Sequence, residues 1–352
     1  MQSENRKPRQ QQLSEKTNNM KRVLLTGASG FFGSHLLRHL LMNTDWEFVC
    51  PCSWSHKGTP ERVEGAINGI DRKRVTVITH DLTAPFSDVT KKRIGHVDYI
   101  LNIASNSHVN RSIDNPGEFI IGNTAITYHL LEYAREIKPE VFLQFSTDEV
   151  YGVAPDGVNH AEWSSIVPSN PYSASKACQE ATAISYWRTY NIPVIITNTM
   201  NLFGETQDPE KYTAQLIKKI VNGDTVTVHG SEGNIGSRFY LHARNGADAV
   251  LFILKNTKPA LYNEGQNLLP DRYNIVGDIE LDNLTLAKMV ANILGKELKY
   301  ELVDFHKGRP GHDRRYALDG SKLRKLGWKA PVEFEPSLKK TIEWTLNNRQ
   351  WL

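Results

Sequence analysis

A glycine-rich segment near the start of the chain constrains the fold more than any other feature. The letters TGASGFFG occupy residues 26–33, directly after the apolar run VLL at 23–25. The amphipathic segment SHLLRHLL follows at 34–41. The run predicts a β-strand, and the segment predicts a helix because its apolar residues recur at helical spacing. The three glycines therefore lie on a strand-to-helix turn.

Each glycine of this turn has a separate physical role. The first can adopt backbone angles that other residues resist, the second lets a diphosphate approach the main chain, and the third lets helix and strand pack closely. The helix N-terminus adds free N–H groups and the positive end of a dipole. This context predicts a dinucleotide site, and a glycine-rich turn without a ligand is the alternative. The expected cofactor contacts are Gly27, Ser29, Gly30, Phe31, Phe32 and Gly33.

Composition and charge argue against two classes of partner. Of the 352 residues, 39% are hydrophobic, and the longest apolar stretch covers only 249–254. A membrane-spanning helix needs ~20 such residues. The formal net charge of +3 is near balance and favours neither nucleic acid nor an acidic membrane surface. We therefore expect no nucleic acid and no membrane among the partners.

The three cysteines, Cys50, Cys52 and Cys178, are too few for a disulfide framework and predict a reducing, cytoplasmic compartment. The first two flank Pro51, a spacing that can indicate a metal or redox pair. No further cluster of cysteine and histidine completes such a pair, so we expect buried strand cysteines and no metal site.

Residues 1–19 differ in composition from the rest of the chain. They consist mostly of Gln, Asn, Lys, Arg, Glu and Ser, with one Leu and no aromatic residue. Such a segment cannot bury enough surface to become ordered, and it lacks the apolar core of a secretory signal. We expect a disordered tail ahead of a domain that begins at residue 20.

Strand-like and helix-like segments then alternate as far as residue 200. Alternation of this kind predicts parallel βαβ units and an α/β protein with a doubly wound parallel Rossmann sheet. The pattern loosens after residue 200, which predicts a smaller, discontinuous C-terminal substrate domain. The expected first domain covers 20–200 and about 247–275, and the second about 201–246 and 276–352. The predicted strands include 75–78, 97–103, 141–146 and 193–197, and the predicted helices 117–137 and 172–190.

Tyr172 and Lys176 lie four residues apart on a predicted helix, with Asn170 as its N-cap and Pro171 in its first turn. A tyrosine hydroxyl ionises near pH ~10, and a nearby cation can lower that value. The pair alone is common on helix surfaces. It gains meaning from a second motif.

That second motif, STDEVYG at 146–152, follows a predicted strand. Open α/β sheets place their sites at the carboxyl ends of strands. Thr147 can bond a substrate hydroxyl opposite Tyr172, and the adjacent Asp148 and Glu149 can serve as acid and base if their surroundings separate their pKa values. A solvated Asp-Glu turn is the alternative interpretation.

Together these motifs resemble the extended short-chain dehydrogenase/reductase family, and within it the nucleotide-sugar 4,6-dehydratases of the dTDP-glucose 4,6-dehydratase type. The resemblance covers about residues 21–352. Related epimerases and decarboxylases lack the Thr-Asp-Glu triplet. The segments that carry the family resemblance are TGASGFFG at 26–33, STDEVYG at 146–152, SNPYSASK at 169–176, LGW at 326–328 and TIEW at 341–344.

The resemblance implies a lyase with internal redox chemistry. Tyr172, with Lys176 and Thr147, removes the proton of the sugar's 4-hydroxyl while hydride passes to a tightly bound nicotinamide. Glu149 then takes the proton of carbon 5, Asp148 protonates the departing 6-hydroxyl, and hydride returns to carbon 6. The first domain would bind NAD(P), and the second an NDP-hexose.

Two further segments resemble those that hold a nucleotide diphosphate, QDPEK at 207–211 and RPGHDRRY at 309–316. Arginine and lysine match phosphate oxygens in charge and geometry. The segment NIASN at 102–106 departs from the family's usual pattern, as do His242 and Ala243. The implied substrate contacts are Ser107, His108, Asn201, Lys211, Arg238, Asn274, Arg309 and His312.

The sequence lacks the acidic residue that usually distinguishes an NAD-binding fold. NAD-binding folds carry an acid about 20 residues after the glycines, but here the letters CPCSWSHK occupy 50–57. The cofactor is therefore NAD or NADP, with a lean to NADP because a 2′-phosphate could bind the side chains at 53, 56 and 57. Additional expected contacts are Ser53, His56, Lys57, Asp81, Leu82, Ala104, Tyr172 and Lys176.

Two rival functions remain open: an epimerase or decarboxylase of the same family, and a non-catalytic NAD(P)-binding regulator. The paired acids argue against the first, and the intact Thr-Tyr-Lys set argues against the second. The helices at 117–137 and 172–190 are apolar on more than one side, with Tyr128 and Leu131 on a second side of the first and Ala181, Ala183, Ile184 and Trp187 distributed around the second. A helix that only covers a sheet needs one apolar side, so we expect a homodimer through a four-helix interface that covers the others. The base, the sugar and the pathway stay undetermined.

Overall fold

A parallel sheet of seven strands forms the centre of the computed structural model, which describes residues 20–55, 57–264, 267–305, 311 and 313–352. The strand order is β3-β2-β1-β4-β5-β6-β11, and every pairing is parallel. This is the predicted doubly wound Rossmann sheet. The strands are β1 (Arg22–Leu25), β2 (Glu47–Cys52), β3 (Val75–Thr79), β4 (Tyr99–Asn102), β5 (Val141–Thr147), β6 (Val194–Thr199) and β11 (Asp271–Ile275).

Helices cover both faces of this sheet, as its buried, apolar strands require. On one face α1 (Phe31–Asn43), α2 (Pro60–Ile67) and α8 (Ala243–Asn256) bury side chains such as Leu36, Val63 and Val250 in one core. On the other face lie α3 (Asp88–Ile94), α5 (Pro116–Ile137) and α6 (Pro171–Tyr190), and a short helix, α4 (Val109–Asp114), precedes α5.

The chain changes winding direction between β1 and β4, and the glycine turn lies there. Gly27 has a φ of 71°, in the left-handed region. A Cβ on Gly33 would lie 1.9 Å from the carbonyl oxygen of Gly27, so only glycine fits where the helix crosses the turn. Ligands of open α/β sheets bind at such a switch point, outside the carboxyl ends of the strands.

Residues from Asn201 onward, apart from α8 and β11, build a smaller C-terminal unit. Its two sheets have the orders β12-β10-β14, with β7 paired to β10, and β13-β8-β9. The helices α7 (Tyr212–Asn222), α9 (Asn283–Leu294) and α11 (Phe334–Asn347) enclose its core, and α10 (Ser321–Lys325) packs by β11. The strands are β7 (Asn201–Phe203), β8 (Val226–Ser231), β9 (Asn234–Ile235), β10 (Ser237–His242), β12 (Glu280–Asp282), β13 (Tyr300–Val303) and β14 (Arg315–Tyr316).

Four predicted features lie outside the described residues: the tail at 1–19 and the contacts His56, Arg309 and His312. The domain bounds stay a prediction. Helix α8 begins at Ala243, a few residues before the expected boundary, and it packs on α1 of the dinucleotide sheet. Among the described helices none is long and apolar enough to cross a membrane.

The apolar residues of α5 and α6 are more deeply buried than their helical spacing suggests. Leu131 of α5 and Trp187 of α6 both have 0% exposure, although we placed them on sides free for a partner. The two helices pack along each other, and the indole N–H of Trp187 donates to the carbonyl of Ala260 at 2.6 Å. Both expectations were wrong, because these helices have more neighbours within the chain than a sheet alone.

Candidate active site

A cavity of about 960 Å³ opens at the carboxyl ends of the central strands. It runs from the glycine turn past β4 and β5 to the segment after β7. Its size lies at the upper end of ordinary ligand pockets. The predicted site residues that line it are Gly27, Ser29, Gly30, Phe31, Phe32, Gly33, Ser53, Lys57, Asp81, Leu82, Ala104, Ser107, Thr147, Asp148, Glu149, Tyr172, Lys176, Asn201 and Lys211.

The glycine turn fits the diphosphate of a dinucleotide. A Cβ on Gly30 would lie 3.2 Å from the Gly27 oxygen, so the missing side chain leaves the backbone open to a ligand. Helix α1 starts there, and its first N–H groups face the cavity edge that the turn forms. The Phe32 ring stacks on Phe145 at 4.5 Å and closes the floor behind the turn.

The far end of the cavity has the features of an adenosine site without the usual acid. Asp81, just after β3, accepts the backbone N–H of Thr83 at 2.9 Å. Ser53 and Lys57 follow β2 and line the same end. The Lys57 ammonium lies 3.2 Å from a carboxylate oxygen of Asp208. The side chain that we expected to bind a 2′-phosphate therefore already has an ionic partner.

Helix α6 places Tyr172 and Lys176 over β5. A capping box between Asn170 and Ser173 begins the helix as predicted, and Ser112 accepts the backbone N–H of Tyr172 at 3.1 Å. The Lys176 ammonium donates to the carbonyl of Phe145 at 2.7 Å. Burial lowers the pKa of Lys176 to about 7, opposed by the carboxylate of Glu180. Lys176 can therefore gain or lose its charge near neutral pH.

In the protein without ligands, the phenol of Tyr172 strongly favours its neutral, protonated form. Burial raises its pKa well above the usual value, and the charges of Glu149 and Asp148 add to that rise. A hydrogen bond with Thr147 opposes it. Ionisation of Tyr172 therefore needs further positive charge or a hydrogen-bond donor at the phenol.

The two acids after β5 occupy different surroundings. Asp148 has 4% exposure, and burial together with the charge of Glu149 raises its pKa to about 7. The Thr147 hydroxyl donates to Asp148 at 2.8 Å. Burial also raises the pKa of Glu149, while a hydrogen bond from Asn170 and the charges of Lys211 and Arg238 oppose that rise.

Glu149 is held by parts of the chain that are distant in sequence. The Asn170 amide donates to its carboxylate at 3.3 Å and the Tyr316 hydroxyl at 3.5 Å. Lys211 is near enough for its charge to act on Glu149, and its ammonium donates to the carbonyl of Ser107 at 2.6 Å. A carboxylate with these donors is oriented and open to the cavity, as a base must be.

Three predicted substrate contacts do not line the cavity. His108 caps helix α4 by accepting the backbone N–H of Arg111. Asn274 is fully buried on β11, where its amide donates to the carbonyls of His160 and Asp319, apart from the cavity that the other predicted contacts line.

Arg238 lies behind the carboxylates rather than on the cavity wall. It has 4% exposure and donates to the carbonyls of Asp313 and Arg314 at 2.7 Å. Its guanidinium stacks over the ring of Tyr316 at 4.2 Å. Its contribution to the site is positive charge near Glu149 and Asp148.

One arginine of the predicted diphosphate segment has a structural role. Arg315 forms a two-point ion pair with Glu280, at 2.7 and 2.9 Å, and also donates to the carbonyls of Pro155 and Val158. These bonds occupy its guanidinium. His242, noted for its departure from the family pattern, is buried and caps α8 by accepting the Arg244 N–H at 3.1 Å.

Several features of the cavity escaped the sequence analysis. Ser146 and Asp148 each carry a buried oxygen, Oγ and Oδ2, without a hydrogen-bond partner among the described residues, and both side chains line the cavity. Buried polar atoms of this kind indicate a place for ligand atoms or water. Arg111, Gln207 and Tyr240 also line it. Arg111 and Tyr240 belong to no motif, and Gln207 belongs to the QDPEK segment but was not expected as a contact. Only the folded chain brings these three side chains together.

The raised pKa of Asp148 predicts a pH-dependent cost in stability. The unfolded chain loses this proton near pH ~4, whereas the folded chain keeps it until about 7, so stability falls as the pH rises through that window. We expect Asp148→Asn to be more stable than the wild type at pH 8, by up to roughly 4 kcal/mol for three pKa units. The difference shrinks towards pH 4.

Urea unfolding of both proteins at pH 4, 6 and 8 measures this difference. The exposed Asp45→Asn serves as control and should show no such trend. A constant difference across the three pH values would contradict the raised pKa of Asp148.

Known proteins resemble the chain over almost its whole length. The model of the GDP-mannose 4,6 dehydratase family matches residues 24–341. The low-salt glycan biosynthesis protein Agl12 of Haloferax volcanii is 33% identical over 327 residues, 93% of this chain and 99% of that protein. The dTDP-glucose 4,6-dehydratase 1 of Escherichia coli K12 is 33% identical over 356 residues, 94% of each.

A solved structure agrees with these relatives. DesIV of Streptomyces venezuelae, a dTDP-glucose 4,6-dehydratase crystallised with NAD, superposes with a TM-score of 0.83 at 30% identity, covering 94% of this chain and 98% of that one. Family model, relatives and structure agree over the same residues. The chain belongs to the GDP-mannose 4,6 dehydratase family and is a nucleotide-sugar 4,6-dehydratase of the extended short-chain dehydrogenase/reductase type.

Proposed function

We propose that the cavity holds a nicotinamide dinucleotide beside an NDP-hexose and converts the sugar to its 4-keto-6-deoxy form. The observation that carries this is the meeting of Thr147, Asp148 and Glu149 with Tyr172 and Lys176 in one cavity. The glycine turn at the other end supplies the dinucleotide site. When bound, the nicotinamide accepts a hydride from carbon 4 and returns it to carbon 6.

Tyr172 acts first, as the base for the 4-hydroxyl. Its phenol is neutral in the protein alone, so the proton must leave as positive charge comes near. Lys176, one helical turn away, supplies such charge in its protonated form. Thr147 lies within hydrogen-bonding reach of the phenol and opposes the rise of its pKa. Once the phenol has given up its own proton to solvent, the phenolate of Tyr172 can take the proton of the sugar's 4-hydroxyl, and loss of that hydroxyl proton allows the hydride to leave carbon 4.

Glu149 and Asp148 then divide the elimination. The 4-ketone acidifies the hydrogen on carbon 5, and Glu149, oriented by Asn170 and Tyr316, takes it as a proton. Asp148, with a pKa of about 7, still carries a proton at neutral pH and gives it to the departing 6-hydroxyl. Two adjacent acids with different surroundings can therefore serve as base and acid.

The rival functions make different use of the same cavity. An epimerase or decarboxylase needs the Tyr172–Lys176 pair but no acid for a leaving hydroxyl, so the buried Asp148 argues against it. A non-catalytic regulator needs neither. Incubation with dTDP-, UDP-, GDP- and CDP-hexoses separates all three, since a 4-keto product absorbs ultraviolet light after addition of base. The same panel identifies the nucleotide and the sugar.

Variants of Tyr172 and Glu149 should fail at different steps. Tyr172→Phe loses the base for oxidation, so neither reduced nicotinamide nor product should form. Glu149→Gln keeps that base but loses the one for carbon 5, a loss worth ~10²–10⁴-fold. It should accumulate reduced-nicotinamide absorbance and exchange carbon 5 with heavy water slowly. Stopped-flow absorbance and mass spectrometry measure both.

Asp148→Asn provides the third arm of this comparison. It should slow elimination less than Glu149→Gln, because water can protonate the leaving hydroxyl in its place. Glu162→Gln, outside the cavity lining, is the control and should keep both half-reactions. Product formed by Glu149→Gln at the wild-type rate would reopen the epimerase or decarboxylase reading.

The cofactor is NAD or NADP, and we propose a lean to NADP. The end of β2 carries no acid to bind a 2′-hydroxyl, and Ser53 and Lys57 line the cavity there. Lys57→Ala should therefore weaken NADP more than NAD. Denaturing the purified protein releases the bound nucleotide for mass spectrometry. Finding only NAD, with Lys57→Ala without effect, would refute this lean.

We also propose a homodimer through α5 and α6 in a reducing, cytoplasmic compartment. Leu131 and Trp187 no longer support the interface, but Ile120 and Tyr128 of α5 remain 38% and 45% exposed. The exposed Ala181 of α6 adds a small apolar surface. The free cysteines support the compartment, which cell fractionation tests.

Light scattering at micromolar concentration should give the mass of two chains. Tyr128→Glu, which places a charge in the proposed interface, should shift the mass towards one chain. Val89→Glu on α3, a residue that is 78% exposed, is the matched control and should stay dimeric. A monomeric wild type would refute the interface.

A further inference from the structure

No acidic residue directly follows β2, but an acidic residue of another segment lines the same part of the cavity. Asp208 follows β7, far along the chain, yet it lines the same cavity end as Ser53 and Lys57. Its carboxylate lies 3.2 Å from the Lys57 ammonium, and that of Glu210 lies 3.9 Å from it. Two negative charges therefore surround the one cation expected to bind a 2′-phosphate.

A buried arginine holds Asp208 in this position. The Arg62 side chain is 1% exposed and donates to Asp208 at 2.9 Å. It also donates to the carbonyl of Thr206 at 2.7 Å and to the carbonyl of Lys57. The loop after β2 and the segment after β7 are thus joined through one guanidinium, which positions the carboxylate before any ligand arrives.

We propose that Asp208 is a specificity-determining residue for the cofactor, because it competes with a 2′-phosphate for Lys57. A cofactor without that phosphate leaves the Lys57–Asp208 pair intact. A cofactor with it must draw Lys57 away and place its own charge near two carboxylates. The balance between NAD and NADP then depends on the segment that also carries Lys211 as well as on the residues that follow β2.

This inference rests on the proposed dinucleotide site and is tested by binding rather than turnover. The purified protein is incubated with equimolar NAD and NADP until exchange is complete. Free nucleotide is then removed, the protein is denatured, and the two bound nucleotides are quantified by mass spectrometry. The ratio of bound NADP to bound NAD is the measured quantity, and it needs no sugar substrate.

Asp208→Asn should raise this ratio about fivefold, the size expected for one partly exposed ion pair. The asparagine keeps an oxygen that can accept from Arg62 and replaces the oxygen that faces Lys57. Thermal unfolding should confirm that the variant keeps its fold. Glu210→Gln should act in the same direction but more weakly, because its carboxylate lies farther from Lys57. Glu64→Gln, on α2 and paired with Arg72, is the matched control and should leave the ratio unchanged.

The double variant Lys57→Ala/Asp208→Asn tests whether Asp208 changes the ratio of bound NADP to bound NAD through Lys57. Without Lys57, the Asp208 substitution should change the ratio less than twofold, because the two residues act through one ion pair. An unchanged ratio in Asp208→Asn, or a full fivefold change that persists in the Lys57→Ala background, would overturn the proposal. Failure of the wild type to retain either nucleotide would instead refute the proposed function.

Discussion

The hydroxyl of Thr26 joins the two halves of the sheet where the cofactor turn begins. It is fully buried, accepts the backbone N–H groups of Ile103 and Ala104 at 3.0 Å, and donates towards Asn102 at 3.1 Å. The Asn102 amide donates a hydrogen bond to the side chain of Gln144 at 2.9 Å, and the Gln144 amide donates to the side chain of Gln179 on α6 at 3.4 Å. A buried polar chain of this kind is stabilising only when every member is satisfied. The distance between the glycine turn and helix α6 therefore depends on this chain of hydrogen bonds.

The catalytic groups, by contrast, are held in unfavourable states. Asp148 and Tyr172 keep protons that water would remove more readily, and Lys176 is close to losing its own. Burial is the first cause in all three cases. The same desolvation makes the protons of Asp148 and Lys176 transferable near neutral pH, whereas it holds the proton on Tyr172 until positive charge comes near. The surrounding apolar core has to compensate for the cost of these buried groups.

The main elements and most of the cavity could be predicted because their signals are local. The glycine turn, the Asn170 cap and the STDEVYG segment each act within a few residues. Long-range contacts could not be predicted. Arg315 pairs with Glu280 instead of facing a diphosphate, and Asn274 turns to two carbonyls of the loops that cover β11. Lys57 meets Asp208 only after folding. Leu131 and Trp187 misled because helical periodicity counts apolar faces without identifying what covers them.

The attachment of Glu149 has a consequence for biosynthesis. Its carboxylate receives one hydrogen bond from a residue 21 positions later and another from a residue 167 positions later in the chain. The second donor, on β14, can reach its place only after residues 315–316 have been synthesised. A nascent chain can form the glycine turn early, since its contacts are more local. Glu149 therefore acquires its final orientation later than the glycine turn does, so the two ends of the cavity form one after the other.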